Sequence, residues 1–144
     1  MFDGPRPLSS ALWVRRTALN FDAARRYLLG QPEAHEDFPF GPDVYVYKIR
    51  DKMFATLGEE NGVARMNLKC DPEEAMVLRD VFAAVTPGYH MNKAHWNTVL
   101  LDGSVPRGEL ERMIDRSYGL VVKRLSKAER VALEVRHGKG RIYR

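Results

Sequence analysis

Hydrophobic positions change their spacing several times along this chain, and each change marks an expected element. From Leu8 to Thr17 an apolar and basic stretch (LSSALWVRRT) predicts a short leading helix. Phe21, Ala24 and Leu28 then fall at helical spacing behind Asn20, a residue type that caps helix N-termini. The breaker cluster Gly30-Gln31-Pro32 should stop that helix. The acidic stretch Glu33–Asp43 follows and holds the aromatic turn Phe38-Pro39-Phe40-Gly41-Pro42. Beyond it the period drops to two. Val44–Arg50, Met53–Leu57 and Val63–Lys69 read as strands, the first setting Val44, Val46 and Lys48 against Tyr45, Tyr47 and Ile49. With Arg50-Asp51-Lys52 and Gly58–Gly62 as the turns, the pattern predicts an antiparallel meander.

Asp71-Pro72-Glu73-Glu74 is the clearest helix start in the chain. Asp71 can cap, Pro72 suits the first helical position, and Glu74 completes a pattern like a capping box. Leu78, Val81, Phe82 and Val85 supply an apolar face before Thr86-Pro87-Gly88 breaks the helix. Thr98–Leu101 reads as a short strand closed by Asp102-Gly103. A last long helix should begin near Ser104–Pro106 and bury Leu110, Met113, Ile114, Ser117, Val121 and Leu125, with Ser126 capping a shorter helix after it. This order predicts an α+β fold: an antiparallel sheet of hairpins covered on one face by helices. The uncovered face and the loops are then open to a partner.

Composition narrows the class. A chain of 144 residues fits a single domain spanning 1–144, and 44% hydrophobic residues suffice for a core. No apolar run approaches the roughly 20 residues that span a bilayer, and the start MFDGPRPLSS lacks a secretory pattern, so a cytoplasmic protein without membrane contact is expected. Cys70 is the one cysteine, which excludes an internal disulfide framework and a multi-cysteine zinc site. Its bland reading is a small buried hydrophobe. The net charge of +4 is unevenly spread. Residues 123–144 hold eight Lys and Arg against Glu129 and Glu134, so residues 1–122 sum to −2. A basic tail of this kind attracts phosphate backbones, and it is as often a solvated, frayed end.

The chemistry concentrates in Pro87–Asn97 (PGYHMNKAHWN), with two histidines, a tyrosine, a tryptophan, a lysine and two asparagines in eleven residues. Flat rings stack, amides and ring nitrogens form hydrogen bonds, and an ammonium meets phosphate. Each residue also has a bland account: Trp96 as a rim aromatic, Asn92 as a turn cap, Lys93 as a solvated charge. His90 and His95 are five apart, outside the zinc-binding i,i+4 arrangement, and no metal or cofactor is expected. There is no GxGxxG, no GxxxxGK[ST] and no GxSxG. The run His35-Glu36-Asp37 could ligate a metal, but strand neighbours point to opposite faces.

The stretch GYHMNKAHWNTVLLDGSVP, followed by SYGLVVKRL, closely resembles the MmcQ/YjbR-like proteins. Supporting matches are FPFGPDVYVYKI, KMFATL and NLKCDPEEAMVLR, spread over roughly Phe21–Leu125. The resemblance implies a two-layer sandwich similar to the bacterial frataxin (CyaY-like) fold and a DNA-binding role through a "double-wing" pair of hairpins or loops. It carries over to His90, Asn92, Lys93, His95, Trp96 and Asn97 in the loop, and to Lys69, Pro72 and Glu73 at the strand-to-helix junction. A frataxin-like iron role fits poorly, because Asp22 is accompanied by Arg25 and Arg26 rather than by an acidic ridge.

The leading expectation is therefore a DNA-binding module and not an enzyme. Lys48, Lys52, Lys69 and Lys93 would meet phosphates, while His90, Asn92, His95 and Trp96 would contact sugar or base. An alternative is a small-molecule or peptide-binding protein with a pocket lined by His90, His95 and Trp96. An enzyme with either histidine as general base would need a carboxylate beside the imidazole. In a scaffold protein the same motif would be an internal polar network. The sequence leaves the oligomeric state open.

Overall fold

The computed structural model describes residues 19–144, so the helix expected over Leu8–Thr17 lies outside the described residues. Helix α1 (Phe21–Leu29) starts where Asn20 was expected to cap it, with Oδ1 accepting from Ala23 N at 2.8 Å. The strands are β1 (His35–Asp37), β2 (Tyr45–Ile49), β3 (Lys52–Glu60), β4 (Val63–Lys69), β5 (Val85–Pro87) and β6 (Trp96–Leu100). They form one antiparallel sheet in the order β1-β2-β3-β4-β6-β5. Helices α2 (Pro72–Val81) and α3 (Arg107–Val122) pack with α1 on one sheet face, and α4 (Lys127–His137) and α5 (Lys139–Ile142) complete the chain. The fold is α+β, as the hydrophobic pattern predicts.

Turn chemistry places the hairpins differently from the expected breaks. The β3–β4 turn is only Asn61-Gly62, both with positive φ (54° and 81°), the geometry that joins twisted strands in two residues. Gly58, Glu59 and Glu60 belong to β3 and not to the turn. Arg50, at φ 54°, and Asp51 alone make the β2–β3 turn, so Lys52 already pairs with Ile49. Between Tyr47 and Lys48 the register shifts, and both Phe54 and Ala55 are buried in the core. Ser117 of α3 secures this irregularity. Its Oγ donates to Phe54 O at 2.5 Å and accepts from Lys69 N at 2.8 Å, so one buried hydroxyl satisfies backbone groups of two strands.

The expected α3 face is buried throughout, joined by Tyr118 and Val122. Tyr118 meets the Phe54 ring edge-on at 5.3 Å and donates its hydroxyl to Pro32 O at 2.7 Å. Helix α2 departs from expectation. It ends at Val81, which is 63% exposed, and Val85 to Pro87 form β5 instead of continuing the apolar helix face. Asp71 caps α2 by accepting from Glu73 N at 3.1 Å. Glu74 does not close a capping box: it pairs with Arg112 of α3 at 2.8 Å.

The basic C-terminal segment is not a frayed end. Ser126 caps α4, and Leu133 and Ile142 are fully enclosed in the core. Truncating such a leucine costs about 2–5 kcal/mol, so deleting residues 123–144 would damage the fold as well as remove charge. The segment is also tied to the N-terminal half. Glu33 Oε2 meets His137 Nε2 and Arg136 Nη1 at 2.7 Å each, and its Oε1 accepts from Arg50 Nη1 at 2.7 Å. These partners, His137 foremost, hold the Glu33 carboxyl at about 2 against an ordinary value of 4.5.

Candidate functional site

The chemistry-rich loop, Gly88 to His95, joins β5 to β6 and is built by its own backbone. Gly88 N donates to Trp96 O at 2.8 Å. A Cβ on Gly88 would lie 2.8 Å from Trp96 Cβ, closer than real side chains approach, so the residue has to be glycine. Asn92 Oδ1 accepts from Ala94 N at 2.9 Å, a local Asx turn, and His95 N donates to Asn92 O at 3.2 Å. Lys93 Nζ reaches back to Gly88 O at 3.2 Å. Tyr89 N is pinned to the sheet by Thr98 Oγ1 at 2.9 Å. That hydroxyl in turn donates to Asn67 Oδ1 at 2.5 Å, and Asn67 Nδ2 donates to Thr56 Oγ1 at 2.9 Å. A polar row thus crosses the sheet face opposite the helices and ends at the loop.

Arg79 of α2, the last residue of the stretch NLKCDPEEAMVLR, holds the loop from the other side. Its Nε donates to Asn97 Oδ1 at 2.7 Å, and its Nη2 donates to Lys93 O and, at 3.4 Å, to Trp96 O. Asn97 is 2% exposed and turns its amide toward Ala75 O at 3.5 Å. One guanidinium therefore couples α2, the loop and β6. Charge-assisted bonds of this kind are about twice as strong as neutral ones.

Of the loop residues expected to contact a partner, Asn92 and Lys93 are exposed but already bonded within the loop. His90 is exposed at φ 57°, its ring 3.9 Å from that of Tyr89, which lies under the Arg65 guanidinium at 5.2 Å. His95 is exposed while its carbonyl accepts from Cys70 N at 2.8 Å. Trp96 is half-buried and sits directly across the ladder from Lys69.

The strand lysines separate into two kinds. Lys48 is neutralised by Asp37 at 2.8 Å across β1–β2, and this ion pair holds the Asp37 carboxyl below its ordinary value. Arg50 at the hairpin tip is likewise committed to Glu33 at 2.7 Å. Lys52 and Lys69 form no ion pair among the described residues, nor does Arg124 after α3. Arg124 and Lys52 both lie close enough to Lys69 for their charges to act on it. Burial first, and then the charges of Arg124 and Lys52, push the Lys69 ammonium below its ordinary value. Antiparallel register puts the β2–β3 turn, the end of β4 and the start of β6 at this same end of the sheet. Glu59, Glu60 and Asp102 stand at the opposite end.

Elsewhere, chemistry visible in the sequence is otherwise engaged. His35 Nε2 is 2.9 Å from Arg50 O, Glu36 accepts from Arg25 and Tyr47, and Asp37 holds Lys48, so the three side chains do not converge. Burial pushes the Cys70 thiol up to about 11, leaving it protonated at neutral pH. The cavity bordered by Lys69, Cys70 and Asn97 has a volume near 10 Å³, room for about one water.

A family model described as YjbR matches residues 29–120. The chain is 36% identical over 108 residues to the Escherichia coli O157:H7 protein YbdF, an alignment covering 75% of this chain and 88% of that one. It is 34% identical to the protein YjbR of Escherichia coli K12, covering 75% and 92%. Among solved structures, a Deinococcus radiodurans protein with a domain described as DUF419 superposes with a TM-score of 0.74 at 36% identity, covering 81% of this chain and 88% of that chain. A Pseudomonas syringae protein superposes with a TM-score of 0.62 at 31% identity, covering 70% and 97%.

Proposed function

This chain belongs to the YjbR family, and we propose from that premise that it works as a DNA-binding module. The observation that carries the reading is Lys69, which has no ion pair among the described residues, lies across the ladder from Trp96 and feels the charges of Arg124 and Lys52, an opposition that a polyanion would relieve. A phosphate backbone supplies that charge in repeated form. In this reading the β2–β3 turn and the Gly88–His95 loop are the two projections that straddle the duplex. Lys52, Lys69 and Arg124 take phosphates, and Trp96 and His95 reach sugar or base from beside Lys69. Lys48 drops out, because Asp37 already occupies it. Asn92 and Lys93 act by shaping the loop.

The test is the anisotropy of a labelled random duplex titrated with the full chain at increasing salt. Binding should weaken steeply as salt rises. Replacing Lys52, Lys69 and Arg124 together by glutamine should flatten the slope of log K against log salt by about 0.9 for each phosphate that is no longer neutralised. Affinity indifferent to salt, or a slope unchanged in the triple variant, would sink the proposal. Point substitutions are required here, because removing the tail takes Leu133 and Ile142 out of the core.

A further inference from the structure

On the outer side of the helical layer, away from the Gly88–His95 loop, α1, the start of α3 and the C-terminal residues enclose an open cleft of about 360 Å³. Four arginines line it: Arg26 from α1, Arg107 from α3, and Arg141 and Arg144 from the chain's end. Two carboxylates offset part of this charge. Glu111 accepts from Arg107 Nε at 3.2 Å, and Asp115 accepts from Arg144 Nη2 at 3.3 Å. Asp115 is otherwise engaged, receiving the Tyr27 hydroxyl at 2.9 Å and Gln31 Nε2 at 3.1 Å. Among the side chains, four guanidiniums against two carboxylates leave an excess of two positive charges.

Arg141 carries a second, independent sign. Its Nη2 donates to Gly30 O at 2.8 Å, whereas Nη1 is buried and has no hydrogen-bond partner among the described residues. A charged donor left unsatisfied away from water is costly, and an anion beside the guanidinium offsets that cost.

We propose that this cleft binds a small phosphorylated molecule through its phosphate or diphosphate group. Arginines from three segments of the chain lining one cleft suit the several oxygens of a phosphate or diphosphate better than a planar carboxylate, which one guanidinium fork satisfies. The volume sits at the lower end of small-ligand pockets, which run from about 300 Å³ upward. The four arginines gather around one open cleft instead of being strung out along the path of successive backbone phosphates, which favours a small ligand over a nucleic acid. Ala23 and the Tyr27 ring give the cleft an apolar wall for the rest of the molecule. Asp115 fixes Tyr27, Gln31 and Arg144 in one arrangement, so the site is held before the ligand arrives. This site is separate from the proposed DNA surface and does not depend on it.

Calorimetric titration of the full chain with inorganic pyrophosphate, at constant ionic strength, tests the inference. Saturable binding should appear, and Arg26→Gln and Arg107→Gln should each weaken it by about tenfold, the effect of removing one charge-assisted hydrogen bond. Neither side chain lies in the core, so both variants should keep the wild-type melting temperature. Arg65→Gln, on the opposite sheet face, should bind pyrophosphate as the unaltered chain does. Absence of saturable binding, or an affinity in both cleft variants equal to that of the unaltered chain, would overturn the site. Displacement of bound pyrophosphate by a DNA duplex would overturn its assignment to a small ligand.

Discussion

The Gly88–His95 loop and the C-terminal segment 123–144 invert each other. The loop is dense in functional side chains, yet several of them are spent on building it: Asn92 closes a turn, Lys93 returns to Gly88, and Arg79 gathers its carbonyls. The C-terminal segment reads as a uniform run of positive charge, yet the fold sorts those charges individually. Arg136 and His137 clamp Glu33, Arg144 meets Asp115, and Lys123 lies over the Tyr143 ring, while Arg124 acts on Lys69 through its charge. Residue type shows what a side chain can do, and partners decide whether it is free to do it. By that measure Lys52, Lys69 and Arg124 are charges with no ion pair among the described residues.

The contrast between the two regions breaks most readily at Arg79. Arg79→Met removes the anchor of the loop and leaves Asn97 without its main donor, so the chain should lose about 3 kcal/mol in urea denaturation. Amide signals from residues 88–96 should shift or broaden together. A loss below about 0.5 kcal/mol, the range of ordinary surface substitutions, would mean that the loop holds itself.

Glu33 tests the other region. Glu33→Gln should cost about 2 kcal/mol at neutral pH by weakening charge-assisted bonds to Arg50, Arg136 and His137. The folded carboxyl lies at about 2, below its ordinary value of 4.5, so its contribution is complete above the ordinary value. It is lost as pH falls toward the folded value. The stability gap between variant and parent should therefore close over that acid window and stay open at pH 7. A gap that ignores pH would assign the cost to packing rather than to charge.

Two finer substitutions sharpen the distinction between free and committed charges. Lys69→Gln should weaken duplex binding by about 1 kcal/mol and lower the salt slope by about one, measured by anisotropy. Lys48→Gln should leave the slope unchanged and alter stability by no more than about 0.5 kcal/mol, since exposed ion pairs contribute little. If the two lysines behave alike, pairing with Asp37 is not what separates them.

Features that depend on a few consecutive residues are legible in the sequence. Asn20, Asp71 and Ser126 cap their helices, and the α3 face from Leu110 to Val121 is buried as its spacing predicts. Features created by distant partners are not. Strands β1 and β5 have three residues each, too short to show a period, and they exist through pairing with β2 and β6. The wrong β3 boundary comes from letting Gly58 mark a turn that Asn61-Gly62 makes by itself. At the candidate site, the composition of the loop is visible in sequence, but the role of Arg79, which ends the matched stretch NLKCDPEEAMVLR, is not, because its partners lie 14 to 18 residues away. Likewise nothing local separates Lys48 from Lys69, and nothing local places Arg124 beside the latter.

The brevity of β1 and β5 has a consequence for the molecule's behaviour in a crowded solution. They are the rims of the sheet, where unpaired backbone groups invite another chain to add a strand. Each rim offers only three residues, one carrying Glu36 and Asp37 and the other ending in Pro87, which has no amide hydrogen to give. An intruding strand would gain very few bonds at either side, so the fold guards against edge-to-edge aggregation while keeping its long hydrophobic strands inside.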